Sequence, residues 1–238
     1  MIPGFYDRVR AISQGERNYM ARYGPSDAAV LDSAGAEAGW GEPGFTLYER
    51  TTIRPAITIN GITGGYQGPG TKAVIPARAS AKLNLRLVPD QDPAEIDRLL
   101  RRYLAKITPL ALRLRATTQK QARPVVVNVR NPAFRAASVA YYRAFGRAPV
   151  LIRSGGTIPV VDLFQTLLGI PTILMGFALP DDGMHAPNEK MHLPTFFKGI
   201  ATSMFFLQGL GSLALSGIAR ARPVVIKNSF GEIPGVAS

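Results

Sequence analysis

Two short stretches hold the residues whose types and spacing can do chemistry. The first is Asp181-Asp182-Gly183-Met184-His185-Ala186-Pro187-Asn188-Glu189. A histidine beside two carboxylates in a loop suits a metal ligand or a general base, because imidazole titrates near neutrality and binds borderline metals. A lone loop histidine is also often neither, and spacing alone leaves both open. The second stretch is Arg153-Ser154-Gly155-Gly156-Thr157-Ile158-Pro159, between an apolar run and a helical one. Its backbone N–H groups and the helix N-terminus would make an anion site, and Arg153 would add a charge-assisted contact to a carboxylate. Glycine turns also join strands to helices with no ligand at all. His192, beside Leu193-Pro194 at a helix start, reads as structural.

The rest of the composition narrows these options. With no cysteine and two histidines in 238 residues, the chain is not a disulfide scaffold, a zinc finger, an iron–sulfur protein or a histidine-rich metal cage. It has no Walker loop, dinucleotide fingerprint, nucleophile elbow or His-Glu-x-x-His. A hydrophobic content of 46% with 18% charged residues is enough to bury one or two cores and excludes general disorder. The formal net charge of +12 raises nucleic acid as a partner. Residues 1–77 balance seven basic against seven acidic side chains and 154–238 balance five against five, so the excess lies in 78–153, with 16 against four. It is spread along that third without interleaved aromatics or a one-faced helix, which reads as a solvated surface; nucleic acid is not an expected partner.

Met1-Ile2-Pro3-Gly4-Phe5-Tyr6-Asp7 lacks the basic and apolar regions of a secretory signal, so a cytoplasmic location is expected. The uncharged run 199–219, followed by Arg220 and Arg222, is the membrane candidate. Its glycines and Gln208 favour a buried terminal helix instead, and a membrane is not an expected partner.

The elements that must position these stretches follow from periodicity. The first 50 residues are rich in turn chemistry around Trp40 and read as a long surface loop. A strand is expected at 56–59, then a glycine-rich link, then a second strand in which Ala81, Leu83, Leu85 and Leu87 alternate with Lys82, Asn84 and Arg86. Asp92 as cap, Pro93 at the first helical position and the stripe Ile96, Leu99, Leu100, Tyr103, Leu104 predict a helix. Residues 110–115 alternate again and read as a third strand of an antiparallel sheet with this helix on one face. After a break at 119–124 the pattern changes. Helices are expected from Asn131-Pro132 to Gly146, over 159–168 and from Leu193-Pro194, with apolar strands at 149–152 and 170–177. Helices alternating with fully apolar strands predict a mostly parallel sheet covered on both faces, whose ligands bind beyond the strand ends.

At these residues the sequence resembles a known family. Gly155-Gly156-Thr157-Ile158-Pro159, Leu168-Gly169-Ile170-Pro171 and His185-Ala186-Pro187-Asn188-Glu189 are similar to the C-terminal end of aminoacylase, desuccinylase and carnosinase-type metallopeptidases, the co-catalytic dizinc exopeptidases with an inserted peptidase dimerisation domain. Ile2-Pro3-Gly4-Phe5-Tyr6-Asp7, Asn60-Gly61-Ile62, Thr71-Lys72-Ala73-Val74-Ile75-Pro76 and Leu85-Arg86-Leu87-Val88-Pro89 resemble the later part of that inserted domain. The likeness runs over residues 1–210.

The resemblance implies an α/β (α+β) fold: part of an antiparallel-sheet dimerisation (lid) domain over 1–118, the C-terminal portion of a mostly parallel α/β catalytic domain over 119–210, and a tail of unknown role over 211–238. It implies His185 as a zinc ligand, Arg86 as the arginine that meets the substrate carboxylate, and Gly155, Gly156 and Thr157 as the lining of the substrate end. Ser154 stands where carnosinase-type members have a glutamate, and Ala73 where relatives often carry a hydrogen-bonding side chain. The family's His-x-Asp pair, bridging aspartate, Glu-Glu pair with the general base and lid histidine have no match here, so no catalytic base is expected and at most one ligand of the two zinc ions. Met1 is expected to fall inside the inserted domain. The implied activity is zinc-dependent hydrolysis of dipeptides or acyl amino acids by a homodimer, with this chain inactive alone and completed by a missing N-terminal half. The alternative is a non-catalytic dimerisation or binding remnant, or one piece of a split enzyme.

Overall fold

A computed structural model describes residues 2–119, 122–155 and 158–215. In chain order the elements are α1 (Gln14–Tyr23), α2 (Asp27–Ala34), α3 (Leu47–Thr52), β1 (Ala56–Gly64), β2 (Ala79–Arg86), α4 (Pro93–Ile107), α5 (Pro132–Phe145), α6 (Pro159–Leu167) and α7 (Leu193–Leu215). This is a mixed α/β chain with a small antiparallel sheet. It divides into two compact units, one of Met1–Val127 with Val150–Leu163 and one of Asn128–Pro149 with Phe164–Ser238.

In the first unit, the expected long loop over the first 50 residues is replaced by three short helices. Each is started by a side-chain cap: Ser13 accepts from the Glu16 amide, Ser26 from the Ala29 amide, and Thr46 with Glu49 forms a capping box. Trp40 stands 96% exposed in the loop that remains. β1 and β2 pair antiparallel from Ala56↔Arg86 to Gly64↔Ala79, with a bulge between Ile59 and Gly61. α4 begins as its sequence predicts, the Asp92 carboxylate accepting from the amides of Ala94 and Glu95. Its stripe of Ile96, Leu99, Leu100 and Tyr103 packs with Ile2, Phe5, Leu85 and Leu87 as the core. Buried Gln91 ties this core together, its amide donating to the Phe5 carbonyl at 2.7 Å while its oxygen accepts from the Val88 amide at 3.0 Å. The alternation in β2 buries only its end near α4, and Leu83 stays exposed. Residues 110–115 form no strand. A period of two needs a neighbouring strand to become a ladder, and among the described residues the ladder is β1–β2.

The same unit carries a pH-sensitive tie. Arg101 Nε donates to Asp97 Oδ2 at 2.8 Å, and the Thr118 hydroxyl donates to Asp97 Oδ1 at 2.6 Å. These bonds hold the Asp97 carboxyl below the ordinary aspartate range. A carboxyl lowered in the folded state stabilises it above the unfolded value of about 3.9, and that contribution is lost as pH falls through the folded value. Asp90, paired with Arg10, and Asp181, paired with Lys190, are lowered in the same direction. Urea midpoints are therefore expected to fall as pH drops below about 4, and Asp97→Asn to flatten part of that slope.

In the second unit, α5 opens on Asn131 with Pro132 at its start and closes on Gly146, whose φ of 74° is the left-handed C-cap that glycine adopts freely. α7 packs on it. Gly209 allows close approach, since a Cβ there would stand 3.2 Å from that of Ala136. Arg143 lies over the Phe205 ring at 3.9 Å and donates to Gln208 at 2.9 Å. Phe177 stacks on Tyr141 at 5.4 Å, and the Tyr141 hydroxyl donates to the Gly176 carbonyl. α6 ends before Gly169 as predicted. Among the described residues neither apolar run expected as a parallel strand, 149–152 or 170–177, joins a ladder, since a strand needs a paired neighbour. Among the described residues no helix is long and apolar enough to cross a membrane. The expected tail lies outside the described residues from 216 onward.

Candidate functional site

The ladder register places Arg86 at the last pair of β2, opposite Ala56. Its Nη1 donates to the Gly155 carbonyl at 2.6 Å, across 69 residues of sequence. Two residues assigned by resemblance to the substrate end thus stand together, and among the described residues Arg86 gives one of its five donors to Gly155. Gly156 and Thr157 lie outside the described residues.

Gly155 is held by α3. A Cβ built on it would stand 2.0 Å from the Thr51 carbonyl oxygen, so only glycine fits the backbone as it lies. One turn earlier on α3, the buried Tyr48 hydroxyl accepts from the Arg153 amide at 2.9 Å and donates to the Arg153 carbonyl at 3.0 Å. Burial pushes this phenol above its ordinary range, against the opposing pull of the Arg153 hydrogen bond. The Tyr19 hydroxyl of α1 accepts from the Leu151 amide at 2.9 Å. Arg153 itself, read as adding a contact to a carboxylate, is committed to Glu16: its Nε donates to Glu16 Oε1 at 2.8 Å and its Nη2 reaches the same oxygen. Sequence reasoning missed Glu16, Tyr19 and Tyr48. The Thr46-x-x-Glu49 capping signature was the signal that could have found α3, and nothing local ties Tyr48 to a residue 105 positions away.

In the second unit, His185 sits exposed in a closed turn. The Asp182 carboxylate, buried at 3% exposure, accepts from the Leu179 amide at 2.7 Å, and the Asp182 carbonyl accepts from the Lys190 amide at 2.9 Å. The turn forces His185 and Asn188 to φ of 62°, uncommon outside glycine. Lys190 pairs with Asp181 at 2.6 Å and holds that carboxyl below its ordinary range. His192 takes a structural place: its carbonyl accepts from the Phe196 amide and its Nδ1 meets the Thr195 hydroxyl at 2.8 Å.

A catalytic zinc takes three protein ligands and an open position. Among the described residues no three histidine or carboxylate side chains gather closely enough to hold a metal ion. These described residues therefore do not by themselves form a complete metal site.

Residues 11–111, which hold the antiparallel hairpin and the helix packed beside it, match the family model described as the peptidase dimerisation domain. The chain is 27% identical over 216 residues to the human Beta-Ala-His dipeptidase, covering 87% of this chain and 42% of that protein. It is also 27% identical over 218 residues to the Cys-Gly metallodipeptidase dug1 of Schizosaccharomyces pombe, covering 90% and 46%. Among solved structures it superposes on the dipeptidase Dug1p of Saccharomyces cerevisiae with a TM-score of 0.76 at 26% identity, covering 89% of this chain and 45% of that one. On the M20 family metallo-carboxypeptidase Sso-CP2 of Sulfolobus solfataricus the TM-score is 0.74 at 29% identity, covering 87% and 47%. The chain spans less than half the length of these relatives.

Proposed function

We propose that this chain is the dimerisation-domain and C-terminal catalytic-domain part of a zinc-dependent peptidase or amidohydrolase acting on dipeptides or acyl amino acids. The observation that carries the reading is the 2.6 Å bond from Arg86 to Gly155, which makes one locus of the strand-end arginine and the glycine loop. Arg86 would take the substrate carboxylate by charge-assisted hydrogen bonds; Gly155, Gly156 and Thr157 would line that end; His185 would be one zinc ligand. The domains would be 1–118 and 119–210, with a tail over 211–238. The protein would act in the cytoplasm as a homodimer, using the exposed Ile57, Ile59 and Leu83 of the hairpin for self-association.

The general base and remaining ligands would come from polypeptide outside these 238 residues. Phe197, Ile200, Met204 and Leu207 of α7 are exposed apolar side chains that such polypeptide would cover. Co-expression with the product of the DNA immediately upstream, if it encodes a His-x-Asp and a Glu-Glu pair, is expected to yield a complex with chelator-sensitive hydrolysis of a dipeptide panel. The chain alone with zinc is expected to be inert. Turnover by the chain alone would overturn the need for a second part, and an inert complex would overturn the activity. The second reading, a non-catalytic dimerisation module, rests on the same exposed hairpin face, and self-association without hydrolysis in the complex would favour it.

A further inference from the structure

We infer that Tyr48 is a positioning residue that sets the Gly155 loop against Arg86; the inference rests on the reading that these two form the substrate end. A hydroxyl that bonds to one backbone group restrains one peptide plane. The Tyr48 hydroxyl bonds to both the amide and the carbonyl of Arg153, at 2.9 and 3.0 Å, and so restrains the planes on either side of that residue. Two residues on, the Gly155 carbonyl meets Arg86.

The clamp is itself rigidly mounted. α3 is fixed at its start by the capping box of Thr46 and Glu49, and buried Glu49 pairs with Arg17 at 3.2 Å. The hydroxyls of Thr51 and Thr52 donate to the Tyr48 carbonyl at 3.1 and 2.6 Å. On the other side, Gly24 at the end of α1 leaves room for the ring, where a Cβ would stand 2.3 Å from Tyr48 Cε1. One turn of α3 thus offers the Tyr48 hydroxyl to Arg153 and the Thr51 carbonyl to Gly155, a template for the backbone of residues 153–155. Glu16 and Tyr19 grip the same segment from α1, but through the Arg153 side chain and Leu151, farther from Gly155.

The test uses the full chain and Tyr48→Phe, which keeps the ring and deletes both hydrogen bonds. Amide exchange at residues 153–155 is expected to quicken about tenfold, and affinity for the carboxylate probe N-acetylglycine to fall about fivefold. Asn131→Ala, which removes a helix cap in the other unit, serves as the comparison of similar stability loss and is expected to leave probe affinity unchanged. Exchange at 153–155 unmoved in Tyr48→Phe overturns the inference, as does an equal loss of affinity in Asn131→Ala. Should Tyr48→Phe not fold, the Arg153 amide of the unsubstituted chain still decides, since exchange at its unstructured rate overturns the clamp. Equal probe affinity in the unsubstituted chain and Arg86→Ala defeats the substrate reading separately, leaving the clamp to the exchange data.

Discussion

Gly155→Ala is expected to lower the unfolding temperature of the chain by about 10 °C and to release Arg86 from its partner. The added Cβ would stand 2.0 Å from the Thr51 carbonyl oxygen, about an ångström inside any tolerated contact. Both atoms belong to or adjoin backbone, so no side-chain rotation relieves the clash. Overpacking of this kind costs about 1–3 kcal/mol, and the rigid partner puts Gly155 at the upper end. Each kcal/mol lowers the midpoint of a chain this size by about 2–4 °C, which gives the figure stated. Calorimetry measures it, with Gly176→Ala as the comparison: a Cβ at Gly176 meets nothing within 4 Å, and a shift within about 2 °C is expected there, the scale of a surface substitution. An unchanged midpoint in Gly155→Ala would mean that the loop does not rest on α3.

Arg86→Ala is expected to lower kcat/KM of the complemented enzyme about 100-fold for substrates with a free carboxylate. The bonds lost are charge-assisted, and two decades correspond to about 2.7 kcal/mol, within the range for a hydrogen-bonded charge. Stability is expected to move little, because Arg86 is exposed and, among the described residues, gives one bond to the fold. Arg86→Lys keeps the charge without the planar fork and is expected to recover about one decade. The decisive measurement compares a dipeptide with its C-terminal amide. The unsubstituted enzyme is expected to prefer the free acid and Arg86→Ala to treat the two alike; preference retained in Arg86→Ala would place carboxylate recognition elsewhere.

How far these residues could be read from the sequence depends on how local their causes are. α4 was legible because Asp92, Pro93 and a stripe at helical spacing lie within one segment, and α5 likewise from Asn131-Pro132 to Gly146. α1 to α3 were not, because they are short and bury few apolar side chains such as Met20 and Tyr48, leaving no stripe to see beside their caps. Residues 110–115, 149–152 and 170–177 carry strand-like composition, but a strand is a relation between two segments, and composition does not supply the second. The resemblance gives Arg86 and Gly155 roles at the substrate but no bond between them, and no periodicity spans the 69 residues that separate the two. Arg153 was misread for the opposite reason: a cation next to a glycine turn invites an anion, and the anion turned out to be the chain's own Glu16.

The bulge between Ile59 and Gly61 separates the hairpin into two registers. Ala56 to Ile59 pair with Leu83 to Arg86, and Gly61 to Gly64 with Ala79 to Lys82. A slip of one residue would turn every side chain of β2 to the opposite face, Arg86 included. Because the register breaks at Asn60, the face that Arg86 takes is set by the pairs on its own side of the bulge, Ala56↔Arg86 to Ile59↔Leu83, and a slip confined to the pairs beyond the bulge would leave that face unchanged.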